Sequence, residues 1–228
     1  MRSHYSLQWY QSFFRFLGRP LFSLIFHALG PIQVRGREHI PARGAYLVVF
    51  NHVSLYDAPL LVAIWPRALE ALGAKEIWSR PGQNMLVAMY GAIPVSRGEV
   101  DRESIHAVLS ALRSGRPVIM APEGGRSHGR GMAQGKSGVI LFVEATGVPI
   151  VPVGITGTQD DYYQRGSRGQ RPQVTVNIGE VFRLPKSLDD HGASPREVRQ
   201  RKVDYIMHRI AALLPEEYQG YYRSGHSG

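Results

Sequence analysis

The stretch Asn51-His52-Val53-Ser54-Leu55-Tyr56-Asp57 holds a base and an acid with four residues between them. A histidine that ends a strand and an aspartate that opens a helix can be folded back on one another, so that the carboxylate reaches an imidazole nitrogen. Asp57 would then fix the tautomer and stabilise the imidazolium while His52 takes a proton from a hydroxyl, a role worth roughly 10² to 10⁴ in rate. The same spacing also suits a helix-capping aspartate beside a histidine satisfied elsewhere. Ser54 lies between the two and invites a hydrolytic triad. No G-x-S-x-G elbow surrounds any serine of the chain, however, and three triad members within six residues do not bring nucleophile, base and orienter into line.

A second constellation is Pro122-Glu123-Gly124-Gly125-Arg126-Ser127. Its glycines let backbone N–H groups approach an anion, and Arg126 offers a bidentate fork to phosphate. On its own, Arg126 reads equally well as a solvated loop cation. Arg97, just past another apolar strand, can reach the same face. Further on, Gly131, Gly135, Lys136 and Ser137 imitate a P-loop. The imitation fails: three residues separate the glycines, Arg130 stands where a glycine is required, and the preceding strand ends about ten residues earlier. Nucleotide hydrolysis is thereby rejected, while Lys136 stays a candidate contact to an anionic ligand. The nine histidines include no H-E-x-x-H pair, so no metal is implied.

The elements that must position these residues follow from hydrophobic periodicity. Residues 46–50 form an apolar run of strand type that ends at Asn51 and His52, and residues 58–64 form an apolar helix with Asp57 at its start, a favoured place for a carboxylate. A helix is expected over 84–90, a strand over 92–96, and an amphipathic helix over 102–114 with Gly115 as its stop. Residues 117–121 and 149–155 read as buried strands on either side of a Gly-rich basic loop and a helix ending near 146, and 174–178 as one more strand. Residues 160–172, polar and Gly-rich, read as a mobile loop. Ser194, Pro195 and Glu197 start a terminal helix as N-cap, first residue and capping-box partner. Strands alternating with helices predict a single α/β domain over 31–228, with a mixed, mostly parallel sheet flanked by helices.

A chain of 228 residues with 43% hydrophobic residues can bury one substantial core. It has no cysteine, which excludes disulfides, thiolate metal sites and a cysteine nucleophile, and which suits a reducing compartment. The formal charge of +9 calls for an anionic partner. Nucleic acid is set aside, because no reading motif occurs and the basic residues are not interleaved with aromatics on one element.

Residues 1–30 carry the remaining signal. Trp9, Tyr10, Phe13, Phe14, Phe16, Leu17, Leu21, Phe22, Leu24, Ile25 and Phe26 alternate with Arg15, Arg19 and Pro20, so neither apolar stretch reaches the roughly 20 residues a bilayer span needs. Arg15 and Arg19 also break the pattern of a secretory signal. The expectation is two short amphipathic helices broken near Gly18 and Pro20, lying in a membrane surface. Six arginines against the single acid Glu38 in residues 1–50 favour an anionic leaflet, at the cytoplasmic face of the cell membrane, with peripheral or monotopic attachment.

In this order, four blocks resemble the glycerolipid acyltransferase family, whose best-known members acylate 1-acylglycerol-3-phosphate to phosphatidic acid. Asn51-His52 through Asp57 is similar to its N-H-x-x-x-x-D motif, and Gly91-Ala92-Ile93-Pro94-Val95-Ser96-Arg97 to its second block. Glu123-Gly124-Gly125-Arg126-Ser127 resembles its E-G-T-R-S block, and Val148-Pro149-Ile150-Val151-Pro152-Val153 its apolar fourth. The resemblance implies His52 and Asp57 as catalytic residues, with Arg97, Glu123, Gly124, Gly125, Arg126, Ser127 and Lys136 around the acceptor's phosphate. It further implies acyl-CoA or acyl carrier protein as co-substrate, a lysophospholipid acceptor, and no metal or prosthetic group. Two positions depart from the family. Gly125 replaces the usual threonine, which removes a hydroxyl from the phosphate site, and Ser137 follows Lys136 where glycine is usual.

Overall fold

All four residues of Leu47–Phe50 are buried, and successive side chains enter opposite cores, as the period-two geometry of a strand covered on both faces requires. The computed structural model describes residues 7–96, 101–127, 129, 131–189 and 192–223. After helix α1 (Trp9–Leu29) come strands β1 (Ile32–Arg35) and β2 (Leu47–Phe50), helix α2 (Asp57–Ile64), strand β3 (Glu70–Ala74), helix α3 (Gln83–Tyr90) and strand β4 (Ile93–Val95). Helix α4 (Arg102–Arg113), β5 (Val118–Met120), α5 (Gly138–Thr146), β6 (Ile150–Thr156), α6 (Tyr162–Ser167) and β7 (Val174–Ile178) follow. The chain closes with α7 (Pro195–Ala211) and the short α8 (Glu216–Gln219).

These strands form one sheet in the order β1-β7-β6-β2-β5-β3-β4, parallel except where β6 meets β7. The α/β architecture with a mixed, mostly parallel sheet therefore matches the expectation. β2 lies at its centre, pairing Leu47 with Val118 on one side and with Ile150 on the other. One face carries Leu47, Val49, Val118 and Met120 against Val108 and Leu112 of α4, Ile140 of α5 and Ile206 and Ile210 of α7. The other carries Val48, Phe50, Ile119 and Val153 against Phe26, Leu60, Leu61 and Tyr162, from α1, α2 and α6. With a helical layer packed on each face, β2 ends in a fixed place, and so does the histidine that follows.

Two expectations are corrected. The N-terminal stretch is one helix, α1, with Pro20 inside it, rather than two helices broken at Gly18 and Pro20. An internal proline costs a helix about 3 kcal/mol, and here contacts made just before it anchor the helix to the sheet and to α2. Arg15 makes a bidentate, buried ion pair with Glu70 at 2.8 and 2.9 Å, and Arg19 donates to the carbonyls of Val62 and Trp65. Tertiary anchoring thus overrides the local preference. The second correction concerns residues 160–172, which contain α6 where a mobile loop was expected. Tyr162 is fully buried, stacks on Phe26 at 6.1 Å and donates its hydroxyl to the Phe26 carbonyl, so one aromatic side chain orders a polar segment.

On its outer side α1 leaves Trp9, Phe13, Phe16, Leu17, Leu21 and Leu24 exposed, Trp9 at 80% and Phe16 at 76%. Their spacing of three and four residues makes one continuous apolar stripe. No described helix is long and apolar enough to cross a membrane.

Candidate active site

Beyond Phe50 the chain leaves the sheet, and Asn51 secures the exit. Its amide nitrogen donates to the Ile155 carbonyl at 2.9 Å and its oxygen accepts from the Ile155 N–H at 2.7 Å, so a side chain replaces one rung of the β2–β6 ladder. His52 follows with its Nδ1 2.9 Å from Asp57 Oδ2. An ionised carboxylate can only accept, so Nδ1 carries the proton and Nε2 presents a lone pair, the tautomer a general base needs. Asp57 is fully buried whereas the His52 side chain is 18% exposed, which places the acid in the protein and the imidazole at the solvent boundary. Phe50 meets the imidazole edge-on at 5.6 Å.

The Asp57 carboxylate is held from three directions. Ser54 N–H donates to Oδ2 at 2.8 Å, the Ser54 hydroxyl lies 3.4 Å from Oδ1, and Thr158 donates to Oδ1 at 2.5 Å. Ser54 therefore serves the aspartate and also accepts from Tyr56 N–H at 3.0 Å, an arrangement that suits a turn and not a nucleophile. Thr158 was not anticipated. It is fully buried and 101 residues away in sequence, and no local pattern marks it.

The loop after β5 grips His52 from its other side. Glu123 Oε1 accepts from the His52 N–H at 2.8 Å and Oε2 from the Ala133 N–H at 2.7 Å, while Ser127 N–H donates to the His52 carbonyl at 2.9 Å. Glu123 and Ser127 thus contact the backbone of the histidine directly. Burial pushes the Glu123 carboxyl up to about 7, against the two N–H donors and the nearby His52, which favour its ionised form. Gly124, with φ of +69°, sits so close to Lys136 that a Cβ there would lie 2.8 Å from its Cδ. Only glycine fits that turn without displacing the lysine. Arg126 points to Asp160 at 3.4 Å. Arg97 lies outside the described residues.

From His52 a cleft of about 680 Å³ runs between the sheet and α4 and α5. Gly124, Gly125, Lys136 and Ser137 line its mouth, and Leu72, Ile105, Val108, Ile119, Ile140 and Phe142 its interior. A polar, cationic mouth over an apolar interior is suited to a ligand with one charged end and one hydrocarbon part. Arg199 of α7 also lines the cleft, a residue that no motif singles out. The C-terminal segment braces the loop: Tyr222 accepts from the Gly135 N–H at 2.9 Å and donates to Asp204 at 2.8 Å, and the Tyr218 carbonyl accepts from the Met132 N–H.

The model of the Acyltransferase family matches residues 31–156, more than half of the chain and every residue of the grip around His52 and Asp57 except Thr158. The chain belongs to the Acyltransferase family. Among its relatives is a 1-acyl-sn-glycerol-3-phosphate acyltransferase of Cocos nucifera, 30% identical over 193 residues that cover 82% of this chain and 58% of that protein. Another is the alpha form of that acyltransferase from Homo sapiens, 26% identical over 188 residues, covering 81% of this chain and 64% of the human protein. This acyltransferase-family chain thus spans about three fifths of the length of these relatives. Its fold is similar to the crystal structure of the 1-acyl-sn-glycerophosphate (LPA) acyltransferase PlsC of Thermotoga maritima, with a TM-score of 0.61 and 25% identity over 89% of this chain and 79% of that one.

Proposed function

We propose that this protein transfers a fatty acyl group from an acyl thioester, acyl-CoA or acyl carrier protein, to the free hydroxyl of 1-acylglycerol-3-phosphate, giving phosphatidic acid for phospholipid synthesis. The observation that carries the reading is the position of the His52–Asp57 pair at the junction of a cationic, glycine-lined mouth and an apolar cleft. The names of the relatives support the choice of acceptor.

In this mechanism the acceptor's phosphate meets Lys136 and the loop at Gly124 and Gly125, with Arg126 and Arg97 as further cations of the same site. That contact sets the free hydroxyl beside His52 Nε2, and positioning supplies much of the rate. His52 takes the hydroxyl proton as the oxygen attacks the thioester carbonyl, and Asp57 stabilises the imidazolium so formed. Collapse of the tetrahedral intermediate breaks the C–S bond, and the proton held by His52 leaves with the thiolate as a free thiol. No acyl-enzyme, metal or prosthetic group takes part. Gly124 N–H already donates to the Ala121 carbonyl, so Gly125 is the glycine we assign to the developing oxyanion.

The apolar outer stripe of α1 favours attachment to a membrane surface, and the formal charge of +9 favours an anionic one, at the cytoplasmic face. A panel of acceptors with palmitoyl-CoA tests the assignment. Product formation from 1-acylglycerol-3-phosphate well above that from glycerol 3-phosphate, other lysophospholipids and lyso-aminolipids is expected. A preference for one of those others would move the acceptor and leave the chemistry at His52 in place.

A further inference from the structure

At the opposite ends of the parallel strands from His52 lies a second cavity, of about 470 Å³, lined by Arg15, Arg19, Arg67 and Arg116 together with Glu70 and Phe16. Glu70 opens β3 and Arg116 stands two residues before β5, whereas His52 and Glu123 follow the last residues of β2 and β5. The two cavities are therefore separated by the length of the sheet.

The charges in this second cavity do not balance. Four guanidinium groups surround one carboxylate. Arg15 takes both oxygens of Glu70, and Arg116 reaches Oε1 at 3.3 Å. Arg19 and Arg67 meet only neutral groups among the contacts described. Arg19 donates to the carbonyls of Val62 and Trp65, and Arg67 to those of Gly44 at 2.6 Å and Gly115 at 3.1 Å while lying 5.5 Å from the centre of the Tyr46 ring. Each of these bonds fixes the direction of a guanidinium and leaves its charge in place, and a guanidinium has five N–H donors to give. Fixed, half-buried cations around an open cavity are an anion site, and their planar forks suit phosphate oxygens. Phe16 borders the same cavity and is 76% exposed on the apolar stripe of α1.

We infer that this cavity binds the phosphate of an anionic membrane lipid whose hydrocarbon chains lie beside Phe16, and that this second, non-catalytic contact fixes the orientation of α1 on the membrane. The inference rests on the membrane reading of α1 given above. The chemistry recognised is a phosphate group, and its source is the lipid rather than a soluble phosphate, because Phe16 joins the apolar part of the lining to the exposed stripe of α1.

Sedimentation of the full chain with vesicles tests this, with phosphatidylcholine alone and with one third phosphatidylglycerol. Wild type should bind the anionic vesicles more tightly, and Arg67→Gln and Arg116→Gln should each lower that preference about tenfold, more than the roughly fivefold expected from loss of one diffuse charge near a membrane. Arg113→Gln, at an exposed arginine three residues before Arg116 that does not line the cavity, should lower it by no more than that fivefold. Arg116→Gln, whose side chain is 36% exposed, keeps the test usable if Arg67→Gln lowers stability. Equal losses in all three variants, or no loss in the first two, would overturn the inference while leaving vesicle binding by α1 intact. A wild type that binds neither vesicle would remove the membrane reading and the inference together. Saturable thermal stabilisation by inorganic phosphate, abolished in Arg67→Gln while vesicle binding is unchanged, would show a soluble-phosphate site and refute the lipid assignment.

Discussion

Glu123→Gln isolates the electrostatics of the grip on His52. Burial raises the Glu123 carboxyl from 4.5 to about 7 in the folded protein. Between those values the folded state holds a proton that the unfolded state has lost, so stability falls as pH rises through this window and is fully retained only below it. At about 1.4 kcal/mol per pH unit, the loss from this group amounts to ~3 kcal/mol by pH 8. Glutamine does not ionise, and its single acceptor oxygen can serve only one of the His52 and Ala133 N–H groups, a loss that does not vary with pH. Relative to wild type, Glu123→Gln should accordingly gain ~3 kcal/mol in stability between pH 4.5 and pH 8. Urea denaturation from pH 4.5 to 8, followed by circular dichroism, measures the difference. A gap that stays constant over this range would refute the argument, because desolvation would not then be outweighing the two backbone N–H groups that favour the carboxylate.

Other expectations bear on the rest of the site. Thr158→Val keeps the shape of the side chain and removes one donor from a buried carboxylate, a bond worth about 1.5–3 kcal/mol. Its kcat should fall roughly 10- to 100-fold with little change in KM, since the loss acts on Asp57 and through it on His52. An unchanged kcat would exclude Thr158 from the positioning of the pair. Val108→Phe adds bulk to the fully buried interior of the cleft. Turnover should drop more with palmitoyl-CoA than with octanoyl-CoA, and equal losses would place the acyl chain elsewhere.

Much of the fold was legible because buried parallel strands such as Leu47–Phe50 and Ile150–Thr156 are uninterrupted apolar runs, and because α4 and α7 carry their own caps at Asp101 and Ser194. β3 was not legible. Its sequence Glu-Ala-Leu-Gly-Ala has neither alternation nor β-branched residues, and its place in the sheet is set by pairing with β5 and by the ion pair of Glu70 with Arg15. β1, with four residues in half-exposed alternation at the sheet's edge, carried too weak a pattern. Pro20 misled in the opposite direction, since contacts made 55 residues away hold α1 in one piece.

For the candidate site, spacing alone offered His52 and Asp57 as a pair with a bland alternative, and the 2.9 Å contact between them now gives the geometry a general base requires. Thr158, Arg199 and the bracing by Tyr218 and Tyr222 come from segments far along the chain and join the site only through packing. No periodicity could have announced them.

The central claim is that His52, held by Asp57, removes the acceptor's proton. Its most direct test is thiol release from palmitoyl-CoA with and without 1-acylglycerol-3-phosphate, comparing wild type with a folded His52→Ala variant. Acceptor-dependent release that falls at least 10²-fold in the variant is predicted, in line with the usual worth of a positioned base. Release that persists undiminished in His52→Ala would contradict the account.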